Sequence, residues 1–172
     1  ARRLAPMADP RVSTESWTTR RLLGWIAETF EQRGLDSHRL CAEILVSHVI
    51  GCERLKLYME PDRPASPEER GTLRDLVKRA LAHEPIQYLT GEAWFFGLKL
   101  KADRRALIPR PGTETIVEHV LQAERSREGE EQVRIADVCT GSGCIAVALA
   151  KHLPGAHVTA TDISADALAL AA

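Results

Sequence analysis

Ten residues near the end of the sequence, Asp137-Val-Cys-Thr-Gly-Ser-Gly-Cys-Ile-Ala146, have the types and spacing of a cofactor-binding turn. Gly141 and Gly143 let the backbone turn sharply and approach a ligand without a Cβ in the way. The apolar run after them, Cys144 to His152, reads as a helix. Its first N–H groups and positive dipole end would face a ligand oxygen. Val133 to Val138 reads as the strand before the turn, and His157 to Thr161 as the next one, ended by Asp162. A carboxylate there can accept both hydroxyls of an adenosine ribose. G-x-G-x-x-A alone is a weak signal. Its placement after a strand, before a helix and ahead of an acid strengthens it.

Two cofactor classes use such turns. A dinucleotide puts its pyrophosphate on the helix N-terminus. S-adenosylmethionine carries an ammonium and a carboxylate there and no phosphate. Asp137, four residues before Gly141, repels a pyrophosphate and suits an ammonium. The residues therefore favour S-adenosylmethionine over NAD.

The elements that would position this turn fall into two parts. Thr18 to Arg33 places Leu22, Leu23, Ile26 and Phe30 at helical spacing, with Gly34 as the stop. Asp36 is placed to cap a second helix with Leu40, Cys41, Ile44, Leu45 and Val49 on its stripe, closed by Gly51. A short helix spans Glu53 to Glu60. Ser66-Pro67-Glu68-Glu69 is a capping box with proline at the first helical position. Leu73, Leu76, Val77, Ala80 and Leu81 follow, and Pro85 is expected to stop the helix. The period then changes. Leu98, Leu100 and Ala102 alternate with Lys99 and Lys101, as in a strand. Asp103 to Arg105 would turn it, and Ala106 to Ile108 would return as its partner. Glu114 to Glu124 is amphipathic, with Ile116, Val117, Val120 and Leu121 on its stripe, and "SREGEEQ" is a charged linker. The fold class is α/β. A flexible extension (1–13), a helical bundle (14–84), a hairpin linker (85–110) and the start of a Rossmann-like domain (111–172) are expected, with parallel strands and a right-handed crossover.

Composition narrows the function classes. The chain has 172 residues, 44% of them apolar, and a net charge of -1, so charge does not argue for nucleic acid or an anionic membrane. No apolar run approaches the roughly 18 residues of a membrane span. Cys41, Cys52, Cys139 and Cys144 have no zinc spacing and read as free thiols of a cytoplasmic protein. His38, His48 and His83 converge on nothing in the sequence, so no metal is expected. Lys99, Lys101, Arg104, Arg105 and Arg110 make a local basic cluster, either a solvated strand face or a docking surface for an RNA-bearing or acidic partner.

"DVCTGSGCIAVALA" with "ATDISADALALA" resembles the first two cofactor motifs of class I methyltransferases. "EPIQYLTGEAWFFGLKL" and "LIPRPGTE" resemble a narrower group, the HemK/PrmC family of protein-glutamine methyltransferases. The likeness covers roughly Thr14 to Ala172. It implies an S-adenosylmethionine-dependent enzyme that methylates the side-chain amide of the glutamine in the Gly-Gly-Gln loop of class I peptide release factors. The helical bundle would recognise the release factor, with no nucleic acid required and a monomer expected. It also implies that Cys139, Thr140, Gly141, Ser142 and Gly143 line the methionine side of the cofactor. Asp137 would sit near its amine and Asp162 on its ribose. Arg110 to Glu114, including Pro111 and Glu114, would close over the pocket. Two positions depart from the family: Gly112 stands where an acid is usual, and Cys139 where glycine is usual. A Cβ at Cys139 is tolerated if the local φ stays negative. The family's substrate motif, Asn-Pro-Pro-Tyr, is absent, since the chain contains no asparagine. No catalytic residue is therefore expected in this chain, which reads as a catalytically incomplete fragment of a longer enzyme. The alternatives are another class I amino-methyltransferase, such as one acting on adenine N6, an NAD-binding Rossmann protein, or a non-enzymatic binding module.

Overall fold

The computed structural model describes residues 16–126 and 132–172. The expected extension (1–13), the first bundle residue Thr14 and most of the charged linker lie outside the described residues. The chain divides into two compact units, one ending at Ile86 and one running from Gln87.

The first unit is helical. α1 (Thr19–Gln32) starts at Thr18, whose side chain accepts from Arg21 N, and buries Leu22, Ile26 and Phe30. α2 (His38–Ile50) is not capped by Asp36. Its N-cap is Ser37, in the left-handed region at φ 52, with no side-chain bond. The buried side of α2 also differs from the expected stripe. Leu40 is exposed, while Ala42, Leu45 and Val46 are fully buried. α2 packs against α1, α3 and α4, so it is covered from several sides, and a single stripe does not describe it. α3 (Arg54–Met59) is short. Glu43, on α2, accepts from the Tyr58 hydroxyl and pairs with Arg39 and Arg54 at 3.4 and 3.3 Å. α4 (Pro67–Leu81) begins with the expected capping box. Glu69 N donates to Ser66 Oγ at 3.1 Å, and Ser66 N donates back to Glu69 Oε2 at 2.8 Å. Arg63 holds the same carboxylate through both of its terminal nitrogens, which keeps Glu69 below the usual carboxylate range. α4 ends before Pro85. The chain leaves the helix at His83, in the left-handed region at φ 65.

α5 (Ile86–Thr90), a short helix that the apolar pattern did not announce, begins on the last residue of the first unit and continues into the second. A hairpin follows, but not between the expected strands. β1 (Glu92–Phe95) pairs antiparallel with β2 (Leu98–Lys101), Phe95 opposite Leu98. The turn is Phe96-Gly97, both left-handed at φ 49 and 74. A two-residue hairpin turn of this hand suits the twist of its strands. Ala93 and Phe95 are buried and alternate with exposed Glu92 and Trp94. Ala106 to Ile108 is not a strand. It folds back as irregular chain, with Ile108 packed on Ala93 and Ala102 and the Ala106 carbonyl accepting from the Tyr88 hydroxyl at 2.9 Å. Pro109 follows at once and has no N–H to extend a ladder.

A 3-10 turn (Pro111–Thr113) leads into α6 (Glu114–Arg125), which buries Val117 and Leu121 and leaves Ile116 exposed, against expectation. β3 (Arg134–Val138), α7 (Cys144–His152) and β4 (His157–Thr161) make a βαβ unit, the strands parallel with Arg134 opposite His157. α8 (Ala165–Ala171) is capped by Ser164, as its position suggested, through Ala167 N at 3.1 Å. Phe95, Val117, Leu121, Cys144, Ala148 and Leu149 form the core, with hairpin residues Leu98 and Leu100 packed on it. The architecture is the expected α/β class: a helical N-terminal region, a hairpin, and a small parallel layer.

Candidate functional site

The turn between β3 and α7 is organised by two carboxylates. Asp137, next to last in β3, accepts from Thr140 Oγ1 at 2.6 Å and from Ala146 N at 3.2 Å, both on Oδ2. Ala146 is the third residue of α7, whose N-cap, Gly143, has no side chain to offer. Asp137 therefore acts as the cap from across the turn, taking one of the donors that a helix start leaves unsatisfied. Among the described residues no hydrogen bond reaches Asp137 Oδ1, and no buried side-chain polar atom lacks a partner. That oxygen has no protein donor among the described residues.

Asp162 ties the other side. Its Oδ1 accepts from Ser164 N at 2.9 Å and its Oδ2 from Gly141 N at 2.8 Å. The Ser164 and then the Gly141 N–H hold its carboxyl below the usual range. Thr140 N donates to Thr161 O at 2.9 Å, so the turn is also stitched to the end of β4. Thr140 and Ser142 are buried.

The turn is left-handed at three places: Cys139 (φ 63), Gly141 (φ 56) and Gly143 (φ 75). Two of these are glycines. The third overturns the condition set for Cys139, whose φ is positive. A side chain there is held in a region that costs an L-residue about 1 kcal/mol. Cys139 is exposed, so its strain comes from the backbone and not from crowding. At Gly143 space is the constraint as well. A Cβ would lie 2.8 Å from Ala171 Cβ, so α8 itself closes on this glycine. At Gly141 nothing lies within 4 Å of where a Cβ would be, and the approach stays open.

Asp137, Thr140, Gly141 and Asp162 are thus brought together by direct hydrogen bonds, with Cys139, Ser142 and Gly143 in the same turn. Pro111 lies exposed in the 3-10 turn. Glu114, the first residue of α6, accepts from Phe96 N at 2.7 Å, so its observed partner is the hairpin. The Thr140 hydroxyl and the Ala146 amide as partners of Asp137 were not foreseen. A helix start whose N-cap is glycine, with an acid several residues upstream, is the pattern that points to them. The basic cluster is partly neutralised: Lys99 pairs with Glu92 at 3.0 Å and Arg105 with Asp103 at 2.6 Å. Among the described residues no group of His, Cys, Asp or Glu is placed to hold a metal ion, and no helix is long and apolar enough to cross a membrane.

As acceptors, the two carboxylates suit a cation at Asp137 Oδ1 and hydroxyl donors at Asp162. The turn is poorly suited to a pyrophosphate, because a protein carboxylate already occupies the start of α7.

Residues 21–91 match the family described as PrmC N-terminal domain, and residues 110–172 the family described as methyltransferase small domain. The chain is 43% identical over 157 residues to a release factor glutamine methyltransferase of Chlorobaculum tepidum, covering 90% of this chain and 53% of that protein. It is 40% identical over 156 residues to one of Rhodopirellula baltica, covering 90% and 53%. It is 41% identical over 157 residues to one of Geobacter sulfurreducens, covering 91% and 54%. The chain spans about half the length of the curated relatives it matches.

Proposed function

The chain belongs to the HemK/PrmC family, and we propose that it supplies the cofactor turn and the substrate-recognition helices of an S-adenosylmethionine-dependent methyltransferase. The substrate is the side-chain amide of the glutamine in the Gly-Gly-Gln loop of class I peptide release factors. The observation that carries the cofactor half of this reading is the Asp137 carboxylate on Ala146 N, with its other oxygen left open. That oxygen would take the methionine ammonium. Asp162, held by two backbone N–H groups, would use its remaining lone pairs for the ribose hydroxyls. Thr140 holds Asp137 in place, and Cys139, Gly141, Ser142 and Gly143 provide the backbone surface against which the methionine end lies. Pro111 and its neighbours from Arg110 to Thr113 would border the pocket. The helical unit would dock the release factor.

When bound, S-adenosylmethionine supplies an electrophilic methyl group on a sulfonium. An amide nitrogen is a poor nucleophile because its lone pair is delocalised, so acceptors for its two N–H groups must aim it at the methyl, and positioning supplies much of the rate. The chain, lacking asparagine, does not offer the Asn-Pro-Pro-Tyr acceptors. Its own part is to bind and orient the cofactor.

Calorimetric titration tests this reading. S-adenosylhomocysteine is expected to bind and NAD is not. Binding of NAD alone would make this a dinucleotide turn and end the methyltransferase assignment. Asp137→Asn should weaken S-adenosylhomocysteine binding by about tenfold, as expected for loss of a charged partner of an ammonium.

A further inference from the structure

Glu114 lies in the stretch expected to border the cofactor, yet its carboxylate is spent elsewhere. Oε1 accepts from Phe96 N at 2.7 Å, a contact between residues 18 apart in sequence. Phe96 is an unusual residue to find at this place. It sits at the tip of the β1–β2 hairpin with φ 49, a conformation that disfavours an aromatic L-residue. An N–H at a hairpin tip normally faces water, whereas this one meets a half-buried carboxylate. The ring of Phe96 is engaged too. It packs against the core made by α6 and α7 and stands edge-on to His152, with ring centroids 5.0 Å apart. His152, at the end of α7, has its Nδ1 2.9 Å from the Ala148 carbonyl. One residue of the hairpin is therefore fastened to the first residue of α6 by its backbone and to the last residue of α7 by its ring.

These are the two helices that carry the site. α6 is led by the Pro111–Thr113 turn, and α7 is led by the glycine turn. We infer that Glu114 is a positioning residue: it clasps the hairpin tip through Phe96 N–H, and so sets where the Arg110–Thr113 turn meets α6, without itself touching the cofactor. The functional part of this inference rests on the cofactor assignment above; the clasp does not. An acceptor oxygen is what the clasp needs, and glutamine supplies one. A direct role toward a cationic cofactor would need the charge.

Two variants separate these roles. In the 172-residue chain, amide hydrogen exchange of Phe96 is followed by NMR without ligand, and S-adenosylhomocysteine binding is measured by calorimetry. Glu114→Ala should speed exchange at Phe96 by about tenfold and weaken binding by about fivefold, and Glu114→Gln should restore both to within about threefold. Unchanged Phe96 exchange in Glu114→Ala overturns the clasp. Lost binding in Glu114→Gln with Phe96 still protected makes Glu114 a direct ligand and overturns the inference too. If Glu114→Ala does not fold, Glu114→Gln still decides, since it must keep both properties. If the unsubstituted chain binds no S-adenosylhomocysteine, the cofactor assignment falls, while Phe96 exchange continues to judge the clasp.

Discussion

Cys139 and Asp162 show opposite ways in which a single residue bears on the turn. Cys139 occupies a left-handed position that its side chain makes costly. Replacing it with glycine removes that cost but adds freedom to the unfolded chain, which offsets part of the gain. Cys139→Gly is expected to raise stability by about 0.5–1 kcal/mol, read as a higher urea midpoint; a lower midpoint would mean that the thiol makes a contact worth more than the strain. Asp162 stabilises the turn as an anion. Its carboxyl lies below the usual range because Ser164 and Gly141 N–H groups donate to the charged form. A depressed folded-state pKa contributes stability that is present above the unfolded value of about 4 and is lost as pH falls through the lower folded value. Urea midpoints measured from pH ~5 down to pH ~2.5 should therefore fall less steeply in Asp162→Asn than in the unsubstituted chain, and equal slopes would remove Asp162 as a source of acid sensitivity.

The turn is also an agreement between elements. β3 delivers Asp137, α7 needs a cap that Gly143 cannot give, β4 delivers Asp162, and α8 packs Ala171 onto Gly143. The two glycines can be distinguished on this basis. Gly141→Ala meets open space and pays only for its left-handed backbone, about 1 kcal/mol. Gly143→Ala pays that and must also displace α8, so a loss of about 2 kcal/mol or more is expected from its urea midpoint. Equal losses at the two positions would show that α8 yields freely. The hairpin teaches a related lesson. β2 was legible because Leu98, Leu100 and Ala102 alternate with lysines. The sequence offers Ala106 to Ile108 as its partner, whereas the observed partner lies upstream across Phe96-Gly97, a pair without the Asn-Gly or Asp-Gly signature of a two-residue turn. The Glu114 carboxylate that receives Phe96 N–H comes from 18 residues away.

At the scale of the molecule, the first unit has a core of its own. Leu22, Ile26 and Phe30 of α1, Leu45 and Val46 of α2, and Leu73 and Val77 of α4 are all nearly inaccessible. α1 packs on α2, and α2 on α4. A chain of residues 16–86 is thus expected to fold cooperatively, with helical circular dichroism and a single urea transition. A broad, non-cooperative loss of helix would show that its core depends on residues outside it.

Local chemistry made much of this legible in the order of residues alone. The Ser66 capping box, the Gly51 helix stop, the bounds of α7 and β4 and the Ser164 cap all rest on neighbours within a few positions, where propensity and hydrogen-bonding reach act without a partner element. The order of elements around the turn is legible too: a strand, two glycines, a helix, and an acid after the next strand. Contacts across sequence were not legible. Which face of α2 is buried depends on how many helices pack around it. β1 pairs with β2 because a left-handed Phe96 is held there, and Glu114 turns to the hairpin because the fold places Phe96 N–H before it. Asp137 caps α7 because the chain returns over its own strand end. Each of these joins groups whose separation is set only when the elements pack, and no spacing rule carries that distance.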